Sequence, residues 1–415
     1  MKPKLSLRSR QLRAVVVARF VSLTGTNMTL VALPWFVLAT TGSTTKMGIV
    51  LACETLPGVV AGVPGGAAVA RLGPRRALIV ADAARAPLLI AVPALFAAKA
   101  LPFAALLALV SLIGLFTVPY SAASSALLPT LVGDDPREVT RAQSALQVAA
   151  QVTGVLGPLA AGALIPLGGA PRLLYLDGAS YAFSALIVAL SLERATGRRC
   201  PRHKQGLLVG VRFMFSNPLL GSILTAALAA HVAFAALTTS LPVLAYREFH
   251  DARTAGTLFT AIAAGSIAGG LAALRLARKV PPLVLGCAGF ALMAVPLWFL
   301  LAPRTAVLAA VVVAAFGFGT QIGVSPITAV LTTQSPESIR PQTVSSFLAI
   351  SNAGVPAGSA VTGIAIASAG FGATYAAIAA LMTVAAILLT ANVRRLDQRA
   401  SDPLTAATIP TRTDS

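Results

Sequence analysis

The sequence predicts an all-α integral membrane protein with twelve transmembrane helices in two six-helix bundles. Of its 415 residues, 56% are hydrophobic and only 11% are charged, and the mean hydropathy is +0.83. Soluble domains carry about 25% charged residues, so the composition excludes that class. A glycine-bearing basic turn at 65–76 joins two long apolar runs, and a similar turn returns at 270–279. Such a weak internal repeat is typical of membrane proteins built from two matched bundles.

Twelve apolar runs follow one another along the chain, and each reaches the length of about 20 residues that a helix needs to cross a bilayer. We number them as spans 1 to 12, covering residues 20–40, 47–69, 77–98, 103–127, 142–167, 173–192, 219–245, 255–277, 283–302, 305–331, 344–368 and 372–392. An arginine-rich stretch separates the first six spans from the last six. We therefore predict an N-terminal bundle (1–195), a basic linker (196–215), a C-terminal bundle (216–395) and a tail (396–415).

The basic residues predict the orientation in the membrane. With both termini on one side, 25 of the 32 Lys and Arg residues fall on that side, six fall on the other, and Arg85 lies inside span 3. Because Lys and Arg accumulate in cytoplasmic loops, we predict a multi-pass protein of the cytoplasmic membrane with both termini in the cytoplasm. The net charge of +19 is spread over many turns and forms no single patch, so nucleic acid is not an expected partner.

Several kinds of site are not predicted. Cys53, Cys200 and Cys287 are scattered, and their spacing indicates neither a disulfide framework nor a metal site. No phosphate-binding loop is present, so neither direct ATP coupling nor a cofactor is expected. The three histidines lie in separate elements without metal-like spacing, which argues against a membrane enzyme. The first apolar run lacks a small-residue cleavage site, so we expect no cleaved signal peptide.

The basic turn between spans 2 and 3 carries the most specific motif. It resembles the loop signature G-x-x-x-D-R-x-G-x-R-R of the major facilitator superfamily, and the resemblance implies the two-bundle major facilitator fold. The acid of the signature is replaced by Ala70, and the matching residues are Gly66, Arg71, Gly73, Arg75 and Arg76. We predict that this loop and Arg85 form a cytoplasmic gate, in which Arg71 and Arg75 act through Asp82 and the ends of facing helices.

Further motifs resemble the multidrug-efflux branch of that superfamily, which includes macrolide, tetracycline and siderophore exporters. Residues 25–27 and 33–35 in span 1, 56–57 in span 2 and 175–181 in span 6 match this branch. The Gly-Pro motif at 154–162 in span 5 is similar to the fifth-helix signature of antiporters, although close packing of small residues also explains it. The resemblance implies proton-driven export of drugs.

Three carboxylates fall inside predicted spans, namely Glu54, Asp82 and Asp177. Ionisable groups are costly in hydrocarbon, so each is a candidate functional residue. Glu54 lies deepest, and we predict that it carries the proton; the alternative is a carboxyl group that bonds to a neighbouring helix without titrating. Asp177 is expected near the outer interface, where water reaches it and where it favours the helix dipole.

Asp82 and Arg85 are three residues apart on span 3, so they share a face and we expect an ion pair. A structural and gating network is the main prediction for this pair, and Asp82 is also a candidate for proton coupling. His231 in span 7 is the third proton-coupling candidate, with a packed polar residue as the alternative.

Polar side chains in several spans predict a substrate cavity. Three amides recur every four residues on span 5, and such a face is costly against lipid, so it faces a cavity or a neighbouring helix. In the superfamily, spans 1, 4, 7 and 10 line the central cavity. The cavity candidates are Asn27, Trp35, Tyr120, Ser124, Gln143, Gln147, Gln151, Gln321 and Asn352, of which Trp35 is alternatively an interface anchor.

The residues and the resemblance together predict a secondary transporter that exports amphipathic drugs or secondary metabolites in exchange for protons. We expect it to work as a monomer in the lipid bilayer. Aromatic residues make up only 6% of the chain, so amides in an apolar chamber suit large neutral or weakly basic molecules. An importer or uniporter of a small nutrient is the alternative, because a fold sets neither substrate nor direction.

Overall fold

The structure is a computed structural model that describes residues 10–61, 68–69, 71–133, 135–192, 207–301, 305–336 and 339–401. Gly66, Ala70 and Cys200 lie outside the described residues, as do most of the predicted linker and tail. The described part of the chain is helical almost throughout, which confirms the predicted fold class. Ten of its helical stretches are long and apolar enough to cross a membrane, and one of these ten contains both span 11 and span 12.

The N-terminal bundle is built from spans 1 to 6. Its helices are Arg10–Thr41, Thr44–Val60, Pro74–Ala97, Phe103–Leu115 followed by Thr117–Val132, Pro136–Gly168 and Ala170–Ser191. The first helix of span 2 ends at Val60, and residues 62–67 of the predicted span lie outside the described part of the chain. Span 4 consists of two helices that meet at Phe116, whereas the apolar run predicted one.

The C-terminal bundle repeats this order of elements. Its helices are Pro218–Leu244 with the π-helical turn Ala245–Phe249, Ala252–Leu276, Pro282–Leu297 with the 3₁₀ turn Trp298–Leu301, Ala306–Gln334, and Arg340–Ser401, which is broken at Gly370. A short helix, Leu207–Ser216, occupies the end of the predicted linker. This helix packs on span 11, because Gly210 lets its backbone approach the carbonyl of Gln342.

A single glycine turns the chain at the same place in both bundles. Gly169 joins spans 5 and 6 with φ 77° and ψ 157°, and Gly370 joins spans 11 and 12 with φ 81° and ψ 174°. A side chain makes such positive φ values costly, so glycine allows these abrupt turns. The repeat predicted from the basic turns therefore extends to the geometry of the last helix pair in each half.

The two faces of the molecule differ in how closely the bundles approach each other. We call the face at Arg10, Leu192 and Leu207 the linker face, and the opposite face, at Thr41 and Gly169, the far face. One apolar core joins residues on the far-face half of spans 1 to 6 with residues along the length of the C-terminal bundle. On the linker face, a separate core from Leu12 to Leu192 contains residues of the N-terminal bundle alone.

Paired glycines bring the bundles together on the far-face half. Gly48 of span 2 lies against Gly363 of span 11, and Gly162 of span 5 lies against Gly256 of span 8. A Cβ on Gly48 or on Gly256 would lie 2.8 Å from the Cα of the facing glycine. Backbone contact this close requires residues without side chains. Within the described residues, these closest backbone contacts between the bundles therefore lie on the far-face half.

Candidate functional site

A cluster of buried polar side chains lies inside the N-terminal bundle. The carboxylate of Asp82 accepts a hydrogen bond from the Arg85 guanidinium at 2.5 Å, and the two side chains are only 1% and 5% exposed. Both groups project from one face of span 3, so the predicted ion pair is present. A buried pair of this kind is stable only while both partners remain, since either charge alone would be left without compensation.

Two tyrosines enclose the guanidinium of Arg85. Its central carbon lies 4.5 Å from the ring centroid of Tyr120 in span 4 and 4.5 Å from that of Tyr181 in span 6. Arg19 of span 1 lies over the Tyr120 ring as well, at 5.0 Å. Electron-rich ring faces attract such cations, so Arg85 ties together three helices. Tyr120 and its predicted cavity partner Ser124 are buried in the bundle core in this conformation, and their role as cavity-wall residues stays a prediction.

Asp177 in span 6 completes the cluster. Its Oδ2 accepts a hydrogen bond from the Thr29 hydroxyl at 2.6 Å, and its Oδ1 accepts one from Ser180 at 3.1 Å. The side chain is completely buried, so the prediction of a water-exposed position near the interface is wrong. Gly25 explains this burial, because a Cβ there would collide with the Asp177 carboxylate and with Ser180. The missing side chain lets spans 1 and 6 close over the acid.

The neighbouring hydroxyls were not identified from the sequence. The hydroxyl of Tyr181 is 3.0 Å from that of Thr26, beside the contact between Thr29 and Asp177. The spacing of Asp177, Ser180 and Tyr181 puts all three on one helical face, which is a usable signal. Thr26 and Thr29 gave no such signal, because threonine is common in apolar helices.

Glu54 lies in span 2 and is half-buried. Its backbone carbonyl packs on Gly114 of span 4, where any Cβ would collide with it. Its carboxyl group has no hydrogen-bond or ion-pair partner within the described part of the chain. Its role as the proton carrier stays a prediction.

The basic turn contacts its own bundle. Arg75 Nε donates to the carbonyl oxygen of Leu192 at 2.9 Å, and Nη2 donates to that of Ala189 at 2.7 Å. These carbonyls end span 6, where a cation is favoured. Arg71 and Arg76 are exposed, and Gly73 has φ 80° before Pro74 begins span 3. Among the described residues, the predicted contact from this turn to Asp82 is not formed in this conformation, and Asp82 pairs with Arg85 instead.

The remaining cavity candidates differ in how far their side chains are buried. The Asn27 amide donates to the Leu23 carbonyl at 2.9 Å and to Thr153 of span 5 at 3.3 Å. His231 is half-buried, and its Nδ1 lies 2.8 Å from the Ala227 carbonyl oxygen. Half-buried positions are also found for Gln151 and Gln321, whereas exposed ones are found for Gln143, Gln147 and Asn352.

Trp35 lies where the two bundles meet. Its ring packs edge-on against Tyr246 of the π-helical turn, with ring centroids 5.4 Å apart. Both the Trp35 side chain and His250 line a cavity of about 390 Å³ that also touches Phe36 and Phe96. Trp35 is thus a bundle-to-bundle contact near the far face that also lines a cavity there.

Comparison with known proteins identifies this arrangement. The sequence profile of the Major Facilitator Superfamily matches residues 15–335. The chain belongs to that superfamily. Among its relatives, the multidrug efflux pump Tap of Mycolicibacterium fortuitum is 27% identical over 390 residues, covering 90% of this chain and 94% of Tap. The enterobactin exporter EntS of Escherichia coli O1:K1 / APEC is 29% identical over 342 residues, covering 79% and 78%.

Solved structures support the superfamily fold. A bacterial homologue of the human lysosomal transporter Spinster, in an inward-facing and unoccupied conformation, matches with a TM-score of 0.75 at 16% identity. The match covers 97% of this chain and 100% of that one. Membership of the superfamily makes this chain a transporter, and Tap and EntS confirm the predicted resemblance to the branch of drug and siderophore exporters.

Proposed function

We propose that this superfamily member exports amphipathic drugs or secondary metabolites across the cytoplasmic membrane in exchange for protons. The observation that carries the proposal is the similarity to Tap over nine-tenths of the chain, because Tap is a multidrug efflux pump. EntS, an exporter of the siderophore enterobactin, extends the similarity to a large secondary metabolite. The substrate would bind in the cleft between the bundles while that cleft is open.

The orientation follows from charge. Among the described residues, most Lys and Arg fall on the linker face, and such residues accumulate in the cytoplasm. The linker face then faces the cytoplasm, the side from which an exporter loads its substrate. Closure at the far face by the two glycine pairs keeps the outside sealed during loading. Both termini lie in the cytoplasm in this arrangement.

Proton coupling is assigned to Glu54 in this proposal. An antiporter needs a group that alternates between its protonated and ionised forms, and intramembrane carboxyls are the usual groups. Glu54 has no described ion-pair partner, whereas Asp82 is paired with Arg85 and His231 faces a backbone carbonyl. The coupling needs no contribution from a second subunit, so the protein works as a monomer.

Transport assays with purified protein in proteoliposomes test the function. We expect tetracycline, erythromycin or chloramphenicol to move against its gradient when a pH gradient is imposed, and the movement to stop when a protonophore removes that gradient. Glucose and leucine, tested beside them, should not move. Movement of either nutrient without movement of any drug would contradict export and favour the importer alternative.

A further inference from the structure

Arg19 of span 1 is a cation without a carboxylate of its own. Within the described residues, no salt bridge reaches its guanidinium group. Both buried acids of the polar cluster are bonded to other groups, since Asp82 is paired with Arg85 and Asp177 accepts hydrogen bonds from two hydroxyl groups. An ionisable side chain within a membrane span is costly, so one that has no counter-charge is a candidate for binding a ligand.

The side chain of Arg19 points into the bundle and is still partly accessible. Its central guanidinium carbon lies 5.0 Å from the ring centroid of Tyr120, and that of Arg85 lies 4.5 Å from the same centroid. Tyr120 is buried in the bundle core, whereas Arg19 is half-buried. The ring therefore holds the guanidinium group between spans 1 and 4, and the accessible part of the group is available to a ligand.

Arg19 lies at membrane depth on the linker-face half of span 1. The helix begins at Arg10, and nine residues of helix reach about 14 Å along its axis. Within the described residues, the apolar core around Tyr120 contains side chains of the N-terminal bundle alone. Spans 1 and 4, which hold Arg19 and Tyr120, are also the spans expected to line the central cavity. A substrate that enters from the linker face would therefore meet this guanidinium group.

We propose that Arg19 binds the carboxylate of an amphipathic organic acid in the cleft. This inference rests on the proposed export function and names a substrate class for it. The planar guanidinium group carries a fork of N–H donors that matches the two oxygens of a carboxylate. The surroundings are apolar, since Val15 and Ala18 belong to the same core as Tyr120, and Val16 and Phe116 pack against that core. An acid with a large apolar body fits such surroundings better than a small inorganic anion does.

Fusidic acid and its methyl ester form a matched pair of probes, because they differ only in the charge of one group on a large apolar body. Binding of each to the purified protein in detergent is measured by equilibrium dialysis. We expect the wild-type protein to prefer the acid. Arg19→Gln should weaken binding of the acid by about tenfold or more, since it removes hydrogen bonds between charged groups, and should leave binding of the ester unchanged. Arg19→Lys keeps the charge without the fork and should retain part of the preference.

Arg13→Gln is the matched control. Arg13 belongs to the same helix but is exposed nearer its linker-face end. This variant should keep the wild-type preference for fusidic acid over its ester. A purely structural role of Arg19 would change binding of the acid and of the ester alike, so the difference between the two probes separates ligand binding from a loss of packing.

A wild-type protein that does not prefer the acid, or an Arg19→Gln variant that still prefers it, overturns the assignment of Arg19. If Arg19→Gln does not fold, labelling of the wild-type protein with phenylglyoxal, which modifies arginine, decides. Protection of Arg19 by fusidic acid and not by the ester supports the assignment, and equal labelling with both overturns it. The proteoliposome assay judges export separately. Drug transport without a preference for the acid overturns only the role of Arg19, whereas that preference without transport of any compound supports the binding site and contradicts export.

Discussion

Gly48 and Gly363 touch each other across the boundary between the two bundles. A Cβ on Gly48 would lie 2.7 Å from the carbonyl oxygen of Ser359 and 2.8 Å from the Cα of Gly363. Gly162 and Gly256 form the same kind of contact between spans 5 and 8. Each of these two contacts thus joins one glycine of the N-terminal bundle to one glycine of the C-terminal bundle. Together the two contacts close the far face.

A methyl group at Gly48 is expected to favour opening of the far face. Overpacking of this kind costs about 1–3 kcal/mol, which shifts a two-state equilibrium by roughly 5- to 150-fold. In the variant Gly48→Ala, a cysteine placed at Ala39 in the far-face cavity should react faster with an impermeant thiol reagent. Gly270→Ala is the control, because nothing lies within 4 Å of its Cβ position. Equal reaction rates of this cysteine in Gly48→Ala and in Gly270→Ala would contradict a gating role for the contact between Gly48 and Gly363.

Arg75→Ala is expected to lower the transport rate while expression and substrate binding stay close to wild type. The substitution removes two hydrogen bonds from a cation to the end of span 6, each worth about 1.5–3 kcal/mol before solvent screening at this half-buried site. Transport by Arg278→Ala, which removes an exposed arginine of the matching turn, should remain unchanged. A wild-type rate in Arg75→Ala would place the gate elsewhere.

Glu54→Gln is expected to abolish transport driven by a pH gradient and to leave exchange or substrate binding measurable. Glutamine has nearly the same shape as glutamate but carries no exchangeable proton. Transport against a gradient and exchange without one are compared in the same proteoliposomes. If the Glu54→Gln variant still transports the compound in response to the pH gradient, Glu54 is not the proton-coupling residue.

Removal of Arg85 alone is expected to destabilise the protein strongly. Arg85→Gln leaves the buried carboxylate of Asp82 without its cation, and breaking such a pair costs about 3–5 kcal/mol. The double variant Asp82→Asn/Arg85→Gln removes both charges, so it should unfold at a higher temperature than Arg85→Gln. Thermal unfolding of the purified variants in detergent measures both effects. Additive losses would show that the two charges do not depend on each other.

The membrane orientation is tested with single cysteines in a background without the natural ones. We expect a cysteine at Lys99, on the far face, to react with an impermeant reagent added to intact cells. A cysteine at Gln205, in the predicted linker, should react only after the membrane is permeabilised. Labelling of position 205 in intact cells would contradict the proposed orientation. The linker face would then lie outside the cell and not in the cytoplasm.

Several features could be predicted from the sequence because they depend on local composition. The length of an apolar run predicts a span, and the excess of basic residues in alternate turns predicts its direction, since both are set by transfer of side chains between water and lipid. The pair of Asp82 and Arg85 follows from helical spacing alone. The basic turn and the motifs in spans 1, 5 and 6 were sufficient to indicate the superfamily.

Contacts between distant parts of the chain required the tertiary structure. The spacing of span 6 suggested that Asp177 lies near water, but the absence of a side chain at Gly25 lets span 1 cover it. Two arginines, Arg19 and Arg85, lie over the ring of Tyr120, a contact between spans 1, 3 and 4 that the sequence did not predict. The apolar pattern of a membrane helix shows which residues are hydrophobic. It does not show which helix face contacts lipid, a neighbouring helix or a cleft. Sequence thus determined the spans, their order and their charges, whereas packing between helices decided which polar groups are buried together and where the two bundles touch.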